Sequence, residues 1–184
     1  VYLNLTGIHN LSNAVAAAAM AELGGLPLKL TLKAFSIFPG INRRMNVFNS
    51  AGKTIIDDYA HHPTEIKMVV DTLKERYPES KRAVIFQPHL FSRTQDFMED
   101  FATILSEFDE VLLMDIYPAR ELPINGITSE VLLEKISCLN KRKILKNELV
   151  EWVDKIEANV IAILGAGDIG NEVNKIKKLV QNEG

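Results

Sequence analysis

Cysteine is nearly missing from this sequence. Cys138 stands alone among 184 residues, so no disulfide framework holds the chain, and a reducing, cytoplasmic setting is expected. Basic charge is not in excess either. Lys and Arg number 21 against 24 Asp and Glu, a net charge of −3, which argues against binding bulk nucleic acid or an anionic membrane surface. Aromatic residues make up only 7%, and none is interleaved with a basic run. Charge of either sign is absent before Glu22, but this stretch is not read as a membrane span. It lacks a basic leader and carries Asn4, His9, Asn10, Ser12 and Asn13, each costly in hydrocarbon. A buried strand over residues 1–5 and a small-residue helix are expected instead. Repeats, low-complexity tracts and an HExxH zinc motif are also lacking. The first residue is Val1 rather than Met, which suggests a piece of something longer.

What is present has the size of one domain, or of one domain with part of another. A helix is expected from an Asn10 cap to Leu23, stopping at Gly24-Gly25, and a second over residues 27–37, before Pro39-Gly40. The segment FPGINRR reads as a linker. Two short strands, 45–48 and 53–57, flank a turn at Ala51-Gly52. Beyond them apolar strands alternate with amphipathic helices. Strands are expected at 83–87, 111–116, 143–145 and 160–164. Helices are expected from Pro63, from Thr94, at 129–136, at 148–156, and along Ile169, Val173, Ile176 and Val180. Strands apolar throughout need cover on both faces. The expected fold is therefore α/β, a doubly wound, mostly parallel, Rossmann-like sheet with helices on both faces. Its domain would span 41–184, preceded over 1–40 by the helical end of another domain.

Ligands of open parallel sheets bind outside the carboxyl ends of the strands. Those positions hold DDYAHHP, PHLFSRT, YPARELPING and GAGDIG, and three of the 4 histidines (His61, His62, His89) fall in them. Each group admits more than one role. Gly165, Gly167 and Gly170 fit either a phosphate-binding turn or merely a tight strand-to-helix turn, and only 14 residues remain for the ribose-binding acid of a full NAD site. Asp57, Asp58, His61, His62 and His89 could ligate a metal, yet adjacent histidines do not easily aim at one ion; no metal site is expected. Asn10 and Asn13 share a helix face, as a cap plus an exposed amide or as a paired contact. Arg43-Arg44 is either an exposed hinge pair or a phosphate contact. Arg93 could bind a carboxylate, or pair with Asp96 or Glu99. Cys138 reads as a small buried residue.

Taken in order, GIHNLSNAVAAAA, FPGINRR, DDYAHHPTEI, FQPHLFSRT, DIYPARELPINGITS and GAGDIG resemble the Mur ligases of peptidoglycan synthesis. The resemblance covers only the carboxyl-terminal part of such an enzyme. The UDP-sugar-binding amino-terminal domain and most of the central ATPase domain would be partners supplied elsewhere. The single GKT, Gly52-Lys53-Thr54, lacks the upstream glycine-rich loop of a phosphate site.

The family implies ATP and Mg2+, with UDP-N-acetylmuramate and L-alanine as substrates. ATP would phosphorylate the lactyl carboxylate, and the amine would attack the acyl phosphate, because an unactivated carboxylate is a poor electrophile. By the same resemblance, His9, Asn10 and Asn13 would serve the nucleotide from the ATPase remnant. Arg44 would reach its phosphates, and Asp58 and Tyr59 its ribose and adenine side. His61 and Arg93 would be the catalytic pair that places L-alanine. One departure concerns specificity: the family has a second Arg after FQPH, where this chain has Leu90. Two other readings are kept: a standalone nucleotide-binding module, and a ligase that attaches a preformed peptide to the same sugar.

Overall fold

In the computed structural model, residues 7–182 are described; the strand expected over residues 1–5 lies outside them, as does the side chain of His9. Two helices lead, α1 (Ile8–Leu23) and α2 (Leu28–Ile37). The hairpin β1 (Asn46–Ser50) and β2 (Lys53–Asp58) follows, then α3 (Pro63–Arg76) and β3 (Arg82–Phe86). Next come α4 (Phe91–Asp96), α5 (Met98–Leu105), β4 (Glu110–Leu113) and α6 (Ser129–Lys135). The chain finishes with β5 (Asn140–Lys143), a 3-10 turn at Lys146–Glu148, α7 (Leu149–Lys155), β6 (Val160–Leu164) and α8 (Ile169–Asn182).

Among the described residues six strands form one sheet in the order β1-β2-β6-β3-β4-β5. Only β1 runs antiparallel, as a tight hairpin requires; the other pairs are parallel. Successive strand residues point to opposite faces, so each strand feeds two cores. Ile56, Val84, Phe86 and Leu113 face α3, α5 and α6, where Phe86 and Phe101 sit with ring centroids 5.5 Å apart. Ile55, Ile85, Leu112 and Ile163 face α7 and α8, meeting Leu149, Val153, Ile169 and Val173. Each such side chain contributes roughly 1.5–3 kcal/mol on burial, which is why these strands read as unbroken apolar runs. Because β6 inserts between β2 and β3, three carboxyl ends adjoin while their following helices leave toward opposite faces. The DDYAHH, GAGDIG and FQPH turns therefore meet in one crevice.

Several boundaries differ from the sequence reading, each for a physical reason. Asn10 is not the cap of α1. Gly7 occupies that position, with φ 96°, and Asn10 lies one turn inside, nearly buried. The helix expected from Thr94 begins at Phe91 and breaks at Phe97, giving two short helices. The fifth strand is Asn140–Lys143 rather than 143–145: an edge strand of half-buried polar residues, paired to β4 through its backbone and a 4.0 Å contact between Arg142 and Glu110. The Gly52-Lys53-Thr54 run sits where Gly52, at φ 71°, turns the hairpin. The Lys53 ammonium then caps α7, donating to the carbonyls of Val153 (2.7 Å) and Asp154 (2.8 Å) and to that of Ile156. It is a helix cap, not a phosphate lysine.

Candidate functional site

A cavity of about 350 Å³ opens between α1 and the turn that follows β2, lined among others by Asn10, Asn13, Arg44, Asp58, Glu65 and Met68. An apolar recess of about 410 Å³ between α1 and α2 continues from it, sharing Asn10, Asn13 and Ile41. The three-residue spacing of the two asparagines thus puts both amides on one cavity wall. Of the adjacent arginines only Arg44 reaches that cavity. Arg43 is a structural clamp: its Nε donates to Asp57 at 3.1 Å and its Nη2 to the carbonyl of Gly165 at 2.6 Å. Its own φ is 57°.

Asp58, 4% exposed, aims its carboxylate back at the chain, accepting from the amides of Met45 (2.7 Å) and Ala60 (2.8 Å). These bonds shape the turn that presents Tyr59. The Tyr59 ring is exposed and flanked by the Arg43 and Arg44 guanidiniums at 5.4 and 5.8 Å from its centroid. From there a row of rings crosses the rim. Tyr59 meets His61 edge-on at 5.3 Å, His61 meets His89 at 5.8 Å, and His89 stacks on Tyr117 at 5.5 Å. Arg93 closes the row, with Nη1 at 3.5 Å from Nδ1 of His89. It makes no pair with Asp96 or Glu99; Glu99 is taken by Lys135.

The two adjacent histidines have separate duties. His62 caps α3, accepting from the Thr64 amide, while Glu65 returns bonds to the amides of His61 and His62. The His61 Nδ1 lies 2.9 Å from the Tyr59 carbonyl and 3.2 Å from the Glu65 carboxylate, and since both oxygens only accept, that nitrogen is the donor. Asp57 is buried under Arg43 and Lys177, so neither carboxylate of the DD pair is disposed to a shared ion. Among the described residues no group of three His, Cys, Asp or Glu could hold a metal.

The glycine-rich turn serves close packing. Gly165 has φ 143°, and a β-carbon there would lie 2.8 Å from the Gln87 carbonyl; one on Gly167 would lie 2.4 Å from Gln87 Oε1 and 2.7 Å from the Tyr117 ring. Gln87 accepts from the Ile169 amide and donates to Asp168 at 2.7 Å. Burial opposes ionisation of Asp168, but the bonds from Lys146 and Gln87 outweigh it and hold the carboxyl below its ordinary value. Cys138 is buried on its loop, and burial pushes the thiol up, away from reactivity.

In the sequence His89 stands out only as a rim histidine and possible metal ligand, outside the catalytic pair, although it sits four residues before Arg93. The signal was local, since such spacing joins both side chains across the start of a helix. Burial first, then the neighbouring His61 and Arg93, push His89 below its ordinary pKa.

Comparison with known proteins matches residues 43–170 to the family described as Mur ligase, glutamate ligase domain. UDP-N-acetylmuramate–L-alanine ligase of Christiangramia forsetii is 52% identical over 98% of this chain and 40% of its own length. That of Flavobacterium psychrophilum is 53% identical over 95% of this chain and 39% of its own. The chain therefore spans about two fifths of the relatives it matches. The crystal structure of UDP-N-acetylmuramate-alanine ligase from Thermotoga maritima superposes with a TM-score of 0.75 at 28% identity, covering 99% of this chain and 40% of that one. A murein peptide ligase from Psychrobacter arcticus shares the fold, with a TM-score of 0.67 at 22% identity, covering 97% of this chain and 38% of that one. The sheet order, the crevice and the matched span agree: this chain belongs to the family of Mur ligase, glutamate ligase domains.

Proposed function

We propose that the chain is the carboxyl-terminal part of an ATP-dependent ligase that adds L-alanine to UDP-N-acetylmuramate in peptidoglycan synthesis. In this reading residues 1–40 close the central ATP-binding domain and 41–184 form the carboxyl-terminal domain. Two features support that division. The family match begins at residue 43, and α2 has no buried residue, while Leu11, Val15, Met20 and Leu23 on α1 are all exposed. The rest of the enzyme would cover them. Among the described residues no helix is long and apolar enough to cross a membrane, and the reading places the enzyme in the cytoplasm.

One observation carries the reading: the row Tyr59–His61–His89 joins an arginine-bearing cavity at one end to Arg93 at the other. A ligase that couples ATP to amide formation needs those two ends within reach. In the cavity, Asn10 and Asn13 offer amide edges to adenine and Asp58 shapes the ribose side; beside it Tyr59, next to Arg44, offers a flat face. Arg44 supplies a guanidinium to the phosphates. His9 would belong to the same group, on the same turn of α1 as Asn10. Across the row, Arg93 binds the carboxylate of L-alanine and His61 orients the amine. Transfer of the γ-phosphoryl group to the lactyl carboxylate gives an acyl phosphate and ADP. The amine lone pair then attacks the acyl carbon, the tetrahedral intermediate expels phosphate, and the amine proton goes to solvent or a base. Mg2+ would be held mostly by the central domain, where it would neutralise charge on the transferring phosphoryl group.

The test is ATP-dependent ligation by the full-length enzyme, offered L-alanine or a preformed tripeptide. ADP release dependent on L-alanine supports the reading. Turnover with tripeptide alone would instead favour a peptide ligase. A chain that bound ATP at submillimolar concentration by itself would favour a standalone nucleotide module.

A further inference from the structure

The helix that carries Arg93 has no cap of its own. Leu90 holds the N-cap position with φ 75° and ψ 133°, and its side chain has no oxygen to offer the first amides. The acceptor comes from elsewhere. Glu121, in the loop between β4 and α6, accepts from the Ser92 amide at 3.0 Å through one carboxylate oxygen and from the Ser92 hydroxyl through the other. These bonds, with help from the nearby Arg93, hold the Glu121 carboxyl below its ordinary range, so it is anionic at neutral pH.

The same loop grips the other member of the pair. Tyr117 stacks under the His89 ring, donates its amide to the Pro88 carbonyl at 2.8 Å, and accepts from the Leu90 amide at 2.9 Å. Two residues further on, the chain turns through Ala119 at φ 52°, and the Glu121 amide donates to the Pro118 carbonyl at 2.9 Å. Leu122 beyond it is 85% exposed, so burial of that side chain does not anchor this part of the loop. Glu121 does.

We propose that Glu121 is a positioning residue: by capping α4 from the neighbouring loop, it fixes Arg93 and His89 in the geometry that receives the carboxylate of the incoming amino acid. The proposal rests on the ligase reading above. Glu121 acts through Ser92 and α4 rather than on substrate, because both of its oxygens are already occupied.

The experiment compares Glu121→Ala, Glu121→Gln and Arg93→Ala in the full-length ligase, with KM for L-alanine, KM for ATP and kcat read separately. Glu121→Ala should raise KM for L-alanine about tenfold and leave KM for ATP within about twofold. Glu121→Gln should recover most of the loss, since its amide oxygen accepts from the Ser92 amide and its NH2 donates to the Ser92 hydroxyl. Equal rises in both KM values, no rise for L-alanine, or a Gln variant as impaired as Ala would each overturn the clamp. Arg93→Ala separates the two levels. If it raises KM for L-alanine and Glu121→Ala does not, the clamp alone fails; if it also has no effect, the ligase reading of this site fails. Should Glu121→Ala not fold, Ser92→Ala replaces it, with a rise of about threefold expected from losing one of the two bonds and no rise counting against the proposal.

Discussion

Arg93 and His89 face one another at 3.5 Å, a guanidinium beside an imidazole whose own pKa is lowered by burial, by His61 and by that same guanidinium. Two basic groups so close favour an anion between or above them, and they keep the histidine neutral at physiological pH. NMR titration of the His89 ring should give a midpoint below 6.5. Arg93→Ala should move it upward, because one of the depressing charges is gone. Glu121→Ala should move it further down, because the one raising charge is lost. The sign for stability follows. With its folded pKa below its unfolded value, His89 binds fewer protons in the native state, so its contribution falls as pH drops below about 6.5 and levels off under the folded pKa.

Gly165→Ala should destabilise the fold by about 2 kcal/mol or more in urea denaturation. Its φ of 143° disfavours any side chain, and the nearest obstacle, at 2.8 Å, is the Gln87 backbone, which cannot rotate away. Unchanged stability would mean that the turn between β6 and α8 has room for a side chain.

Asp57→Ala should cost about 3 kcal/mol, because it leaves Arg43 without its carboxylate beside the sheet. Asp57 is 1% exposed and also receives Lys177 at 2.8 Å, so no water can readily take its place. A double variant that also removes Arg43 should recover part of the loss, and a thermal unfolding comparison checks it.

Much of this was legible because the chain is locally consistent. Val160–Leu164 is apolar at every residue and is a central strand; Pro63 follows His62 and opens a helix. Signals that come from another part of the chain were not legible. The start of α4 at Phe91 depends on a carboxylate 29 residues away from Ser92, and no local pattern announces it. The edge strand Asn140–Lys143 pairs through its backbone while Ile144, the apolar cue, lies just past its end. Likewise the rim of the sheet could be picked out, but not which histidine of His61-His62 would cap a helix and which would join the row of rings.

The isolated chain should bind ATP weakly or not at all by isothermal titration. It offers Asn10, Asn13, Arg44 and Asp58 around the cavity, yet its only GKT lysine is committed to the end of α7. In the full-length enzyme, Arg44→Ala should raise KM for ATP about tenfold while leaving the fold intact, as its side chain is exposed. Wild-type turnover at limiting ATP would remove Arg44 from the nucleotide site.

In the proposed ligase the rim divides its labour, with nucleotide at Arg44 and amino acid at Arg93. Steady-state ADP release by full-length Arg93→Ala tests it most directly. KM for L-alanine should rise about tenfold or more with KM for ATP nearly unchanged. A defect confined to ATP, or no defect for L-alanine, would contradict it.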